Sequence, residues 1–185
     1  MSFANQYRSS LLAALEAVDT AKVQTAIQWL TEARDAGRQV FVCGNGGSAS
    51  TASHFACDMI KGASLGRPKR FRIISLADFV PTILAYANDI SYDTVFVEPL
   101  KNLANKGDVV IGISGSGNSR NVVNALQYAK DLGCRVITLS GRDGGQMAPL
   151  ADLDIRAKEQ HMGRIEDVHL VVTHMICYHF MDAEK

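Results

Sequence analysis

One repeating alternation constrains the fold more than any other feature of the chain. Short apolar runs, three of them ending in glycine or serine, recur along the chain, and a stretch with helical spacing follows each of them. The first is RQVFVCG at 38–44; FRIISL at 71–76, DVVIGIS at 108–114, CRVITLS at 134–140 and, less cleanly, DLDIR at 152–156 repeat the pattern. Runs of this length without polar alternation read as strands buried on both faces. Helices are expected between them at about 47–62, 79–88, 92–105 and 118–132, with a short one near 144–150 and a final amphipathic helix at about 164–182. Such alternation predicts an α/β fold with a parallel sheet covered on both faces. Ahead of the first strand, Leu11, Leu12, Leu15, Val18, Val23, Ile27 and Leu30 fall near helical spacing, and Gly37 is a stop signal. The expected organisation is therefore one domain over 1–185, with a two-helix arm at 1–36 and an α/β core at 37–185.

Composition narrows the function classes. A hydrophobic content of 47% with 21% charged residues describes an ordinary globular chain and argues against disorder. A formal net charge of zero points neither to nucleic acid nor to an anionic membrane. No apolar run reaches the roughly 18–20 residues of a membrane span, and MSFANQYRSS lacks a secretory apolar region. Cys43, Cys57, Cys134 and Cys177 are scattered and form no CxxC pair, so they read as reduced packing residues and a cytoplasmic location is expected. The basic stretch Lys61, Arg67, Lys69, Arg70 and Arg72 has only Phe71 interleaved, which fits a solvated loop or attraction of an anionic substrate better than a nucleic-acid patch.

Two strand-to-helix turns are unusual: Cys43-Gly44-Asn45-Gly46-Gly47-Ser48, and Ser114-Gly115-Ser116-Gly117-Asn118-Ser119. Ligands of open α/β sheets sit at the carboxyl ends of the strands, where helix N-termini present free N–H groups. Glycine permits close backbone approach, and serine hydroxyls donate to an anion without carrying charge. Two such loops in one sheet point to a phosphate with a polar body attached, although Ser119 also suits a plain helix cap. GNGGSA fits the dinucleotide pattern G-x-G-x-x-[GA], but that motif wants an acid at the end of the second strand. Here IISLA ends that strand and Asp78 comes late. No Walker A pattern exists, and no nucleotide cofactor is expected.

Ionisable residues cluster on two helices. His54 and Asp58 are four apart and share a face. Glu166, His169, His174 and His179 lie on the last helix. At about 100° per residue, Glu166 and His174 differ by roughly 80°, close enough to serve one pocket.

CGNGGSAS, the helix containing HFACD, ANDISY, ISGSGNS, VITLSGRDGG and the terminal RIEDVHLVVTH together resemble the sugar isomerase (SIS) domain family, and within it the phosphoheptose isomerases. The resemblance is collinear over nearly the whole chain. It implies a five-stranded parallel sheet of flavodoxin or Rossmann type and a homotetramer with active sites at subunit interfaces. It further implies that Ser48, Ser114, Ser116 and Ser119 bind the phosphate with Asn45, Gly46 and Asn118 nearby. Asp89 in ANDISY matches a position near the sugar hydroxyls, with a helix-terminal aspartate as the alternative reading.

By the same resemblance, His54, Asp58, Glu166 and His174 fall on the positions that bind zinc in some members, and N and O donors of this kind suit that ion. Asp58 stands where glutamate is usual, Glu166 replaces a glutamine, Gly163 replaces an aspartate, and Gly62 falls on an arginine with Lys61 beside it. The implied reaction interconverts sedoheptulose 7-phosphate and D-glycero-D-manno-heptose 7-phosphate through an enediolate, for heptose biosynthesis. Asp58 and His174 are the expected proton-transfer groups, oriented by His54 and Glu166. The alternative is a non-catalytic phosphosugar-binding protein of the related replication-initiator-associating branch.

Overall fold

A computed structural model describes residues 2–183. Residues 1, 184 and 185, which belong to the expected single domain of 1–185, lie outside the described residues. The arm consists of α1 (Phe3–Glu16) and α2 (Thr20–Asp35), and α2 begins where the Asp19 carboxylate accepts from the amides of Ala21 and Lys22. Five strands follow: β1 (Gln39–Gly44), β2 (Arg72–Ser75), β3 (Val109–Ser114), β4 (Arg135–Gly141) and β5 (Leu153–Ala157). All pair in parallel, in the order β2-β1-β3-β4-β5. The expected five-stranded parallel sheet is thus present, with each strand within a residue or so of its apolar run.

Period-two alternation along the strands divides the interior into two layers. Val40, Val42, Ile111, Ile137, Leu139 and Ile155 face the arm, α3 (Gly47–Lys61) and α7 (Met162–Tyr178). Phe41, Cys43, Val110 and Val136 face α5 (Val97–Leu103) and α6 (Arg120–Leu132), with α4 (Val80–Asp89) alongside. Cys43, Cys134 and Cys177 are buried and Cys57 is exposed. Burial pushes the Cys43 thiol up to about 12, which keeps it protonated. Among the described residues, no helix is long and apolar enough to cross a membrane.

Two expected helices come out shorter. The stretch at 92–105 divides into a 3-10 turn at Tyr92–Thr94, started by the Ser91 hydroxyl accepting from the Asp93 amide, and α5 beginning at Val97. Pro99 is the reason: in the first turn of a helix its missing N–H costs nothing, whereas a helix running through from Tyr92 would place it in the interior. Near 144–150 only Ala148–Leu150 is helical, because Gly144 and Gly145 adopt positive φ. The last helix gives way after Tyr178 to a π turn at His179–Ala183.

Leu126 of α6 is fully buried against the sheet. Leu126→Ala is expected to destabilise the fold by about 2–5 kcal/mol, read as a lower denaturation midpoint with an unchanged slope.

Candidate active site

Strands β1 and β3 are neighbours from which the chain departs to opposite sides, so the switch point of the sheet lies between their carboxyl ends. The two serine–glycine loops leave those two strands. In the second, the Ser114 hydroxyl lies 3.1 Å from that of Ser119 and 3.4 Å from that of Ser116. Ser119 is the N-cap residue of α6, but its side chain makes no capping bond and stays with the hydroxyl cluster.

The loop holds its shape through its neighbours. Gly117 sits at φ +66°, and a Cβ there would lie 2.2 Å from the Gly144 carbonyl oxygen, so the 141–147 segment packs backbone to backbone against it. The Met147 amide donates to the Gly117 carbonyl and the Gln146 amide to Asn118 Oδ1. Asn118 Nδ2 donates in turn to the Ser116 carbonyl. A reciprocal amide pair joins the loops: Asn45 Nδ2 donates to Asn121 Oδ1 and Asn121 Nδ2 to Asn45 Oδ1, both at 2.9 Å. The Tyr92 hydroxyl donates to Asn45 Oδ1 as well.

Between the loops lies a cavity of about 240 Å³ lined by Asn45, Gly46, Ser48, Ser114, Ser116 and Ser119, among others. Its only ionisable lining group is Glu166. An anion held here would meet hydroxyls and the starts of α3 and α6 rather than a cationic side chain. The Glu166 carboxylate stands over the first residue of α3, where a Cβ on Gly47 would lie 2.6 Å from it. Glycine at 47 is what admits that approach.

Glu166 and Gly47 also border a second cavity of about 350 Å³, which His54 and His174 line. There the Nε2 atoms of His54 and His174 face each other at 2.9 Å, with Asp58 Oδ2 at 3.4 Å and 3.9 Å from them. His54, Asp58 and His174 each offer one donor atom, all within 4.8 Å of one another. Two imidazole nitrogens and a carboxylate oxygen converging in this way fit a divalent metal of the zinc type. Glu166 is not part of that convergent trio.

The start of α7 is fixed by Glu159. Its carboxylate accepts two bonds from Arg164, at 2.7 and 3.1 Å, and others from the amides of Gln160 and His161. The arm adds a contact from the Tyr7 hydroxyl to Asp167 Oδ2 at 2.6 Å.

Asp89 ends α4, exposed and beside Asn88, and lines neither cavity. Asn118 braces its loop rather than lining the cavity. In the basic stretch, Arg67 donates to the Phe180 carbonyl, Arg72 to the Gly37 carbonyl, and Lys69 pairs with Asp35. Sequence reasoning missed Asn121 and Tyr92, which tie the loops, and Met162, which closes the first cavity. Met162 precedes the helix expected from about 164, and no pattern in the sequence marked it. Two larger grooves of about 560 Å³ share Arg38 at the amino ends of the strands. Arg38 there donates to the Lys106 carbonyl and Arg135 pairs with Glu32, so their cations serve the fold.

This sheet order, with paired serine–glycine loops at its switch point, is that of the SIS class, and residues 3–141 match the SIS domain family model. A phosphoheptose isomerase of Helicobacter pylori is 39% identical over 171 residues, covering 92% of this chain and 88% of the relative. One from Aliarcobacter butzleri is 44% identical over 145 residues, covering 76% and 74%. The solved phosphoheptose isomerase of Neisseria gonorrhoeae superposes with a TM-score of 0.88 at 28% identity, covering 96% of each chain. The chain belongs to the phosphoheptose isomerase family, whose members are aldose–ketose isomerases.

The hydrogen bonds from Arg164 hold the Glu159 carboxyl down to about 2, against an ordinary value near 4.5. Because the folded value is the lower one, the stabilisation is complete above the unfolded value and fades as pH falls from 4.5 to 2. Glu159→Gln is therefore expected to cost about 1–2 kcal/mol at neutral pH, a gap that closes below pH 3 in denaturation curves of the two proteins.

Proposed function

We propose that this chain interconverts sedoheptulose 7-phosphate and D-glycero-D-manno-heptose 7-phosphate by proton transfer between C1 and C2. The observation that carries the reading is the convergence of His54, Asp58 and His174 beside a cavity whose donors are uncharged. Ser48, Ser114, Ser116 and Ser119 bind the phosphate, and Asn45 and Asn118 keep their loops in shape. Asp89 meets the sugar hydroxyls from the stretch that Tyr92, three residues on, ties to Asn45.

With the phosphate anchored, the sugar's reacting end extends past Glu166 toward the histidine pair. Asp58 takes the proton from C1 of the ketose as His174 protonates the C2 oxygen. Asp58 then delivers the proton to C2 as His174 takes one from the C1 oxygen, leaving the aldose, and the opposite direction retraces these steps. His54 and Glu166 orient the two. His54, Asp58 and His174 would hold a zinc ion, which when bound polarises substrate oxygens and stabilises the enediolate charge. The chain works as one domain in a cytoplasmic homotetramer with active sites at subunit interfaces, in heptose biosynthesis. Exposed Val80 and Leu84 on α4, a helix with no buried residue, and exposed Met175 and Tyr178 on α7 support that assembly. A binding-only role is not favoured, because the relatives are named isomerases and the three donors converge.

Assay with sedoheptulose 7-phosphate beside five- and six-carbon phosphosugars tests the substrate, and turnover of only the shorter sugars would reject it. Asp58→Asn and His174→Ala are expected to lower kcat by at least about 100-fold while calorimetric phosphosugar affinity stays within a few-fold. Full activity in either rejects its role. Metal analysis after zinc loading is expected to find roughly one ion per chain, lost in His54→Ala. A wild-type protein that retains no divalent ion overturns the metal site.

A further inference from the structure

His169 is the one histidine of α7 that faces inward, and it is 1% exposed. Its Nε2 lies 2.9 Å from the Ser140 carbonyl oxygen near the carboxyl end of β4. A carbonyl can only accept, so Nε2 carries the proton and Nδ1 is left bare. Nδ1 is buried and has no hydrogen-bond partner among the described residues. Burial holds the ring in its neutral form. An unmatched buried acceptor is a cost that leucine at this position would avoid. Simple space-filling does not account for imidazole here; the bond to Ser140 does.

The anchor at the other end is rigid. Ser140 is fully buried, and its hydroxyl donates to Asp154 Oδ1 at 2.6 Å, as does the Thr138 hydroxyl at 2.8 Å. Arg156 holds the second Asp154 oxygen through two bonds. Apart from the Tyr7–Asp167 bond from the arm and buried Thr173, α7 packs on the core through apolar residues such as Ile165, Val168, Val172 and Ile176. The fit of these apolar side chains sets the distance and broad rotation of α7, but each such contact is non-directional. The His169–Ser140 bond is directional and, at the middle of the helix, sharpens that register. Glu166 lies one turn before His169 and His174 five residues after it, so rotation or sliding of α7 moves both.

We infer that His169 is a positioning residue, whose Nε2–H bond to the Ser140 carbonyl sharpens the register in which α7 presents Glu166 and His174 to the substrate. The inference rests on reading Asp58 and His174 as the proton-transfer pair. A misplacement of about 1 Å at a reacting group costs up to about 100-fold in rate, which is the scale expected here.

The test compares three substitutions with wild type, using sedoheptulose 7-phosphate turnover, phosphosugar affinity and thermal unfolding. Glutamine can carry its amide N–H to the place of Nε2, whereas asparagine is too short and leucine has no donor. His169→Gln is expected to keep kcat within about 3-fold of wild type. His169→Asn and His169→Leu are expected to lose about 10- to 100-fold in kcat with KM within about 3-fold, while still unfolding cooperatively. A folded leucine variant with wild-type kcat overturns the inference, and so does a glutamine variant no better than asparagine. Nitrogen NMR of the wild-type imidazoles provides a readout independent of any variant's folding. The proton is expected on Nε2 of His169, and a ring protonated at Nδ1 alone overturns the assignment. Loss of activity in His174→Ala with none in His169→Leu rejects the positioning role alone, whereas full activity in His174→Ala rejects the reading beneath it.

Discussion

Burial of the sheet on both faces is the constraint from which the rest of this structure follows. A parallel strand pair needs a crossover, and the crossover helices here cover Phe41 and Val110 on one side and Val42 and Ile111 on the other. Each crossover begins at the carboxyl end of a strand, so the starts of α3 and α6 converge at one edge. That edge offers donors before any side chain is chosen. Serine and glycine refine it by adding hydroxyls and permitting the close approach seen between Gly117 and the 144–145 backbone.

The edge divides its chemistry between two adjoining cavities. One is lined by hydroxyls, amides and backbone, and the other by His54, His174 and their neighbours. Glu166 borders both, on a helix whose start is tied by Glu159 and Arg164 and whose middle is tied to β4 by His169. Recognition and reactivity thus reside on different elements.

Much of this was legible in the residues. The apolar runs located β1, β3 and β4 because burial on both faces removes polar alternation, whereas the edge strands β2 and β5 keep a partial one. The two serine–glycine turns located the ligand end for an equally local reason, since turn chemistry depends on adjacent residues. Pro99 was an available signal that the 92–105 helix would break, and Gly144-Gly145 a signal against a helix there. Asn121 and Tyr92 carried no such mark. Their partner Asn45 lies 76 and 47 residues away, and nothing local distinguishes an amide that pairs across loops from one facing water.

The sequence by itself determined the α/β class, the number of strands and the presence of two anion-suited loops, because each depends on short-range pattern. It also placed His54 with Asp58, and Glu166 with His174, since helical spacing gives direction within one helix. Only the tertiary structure decided that α3 and α7 stand side by side on the same layer. That adjacency brings His54, Asp58 and His174 together, sets Glu166 over Gly47, and turns His169 inward to Ser140. Helical periodicity says which way a side chain points from its own axis, but strand order decides which axes are neighbours.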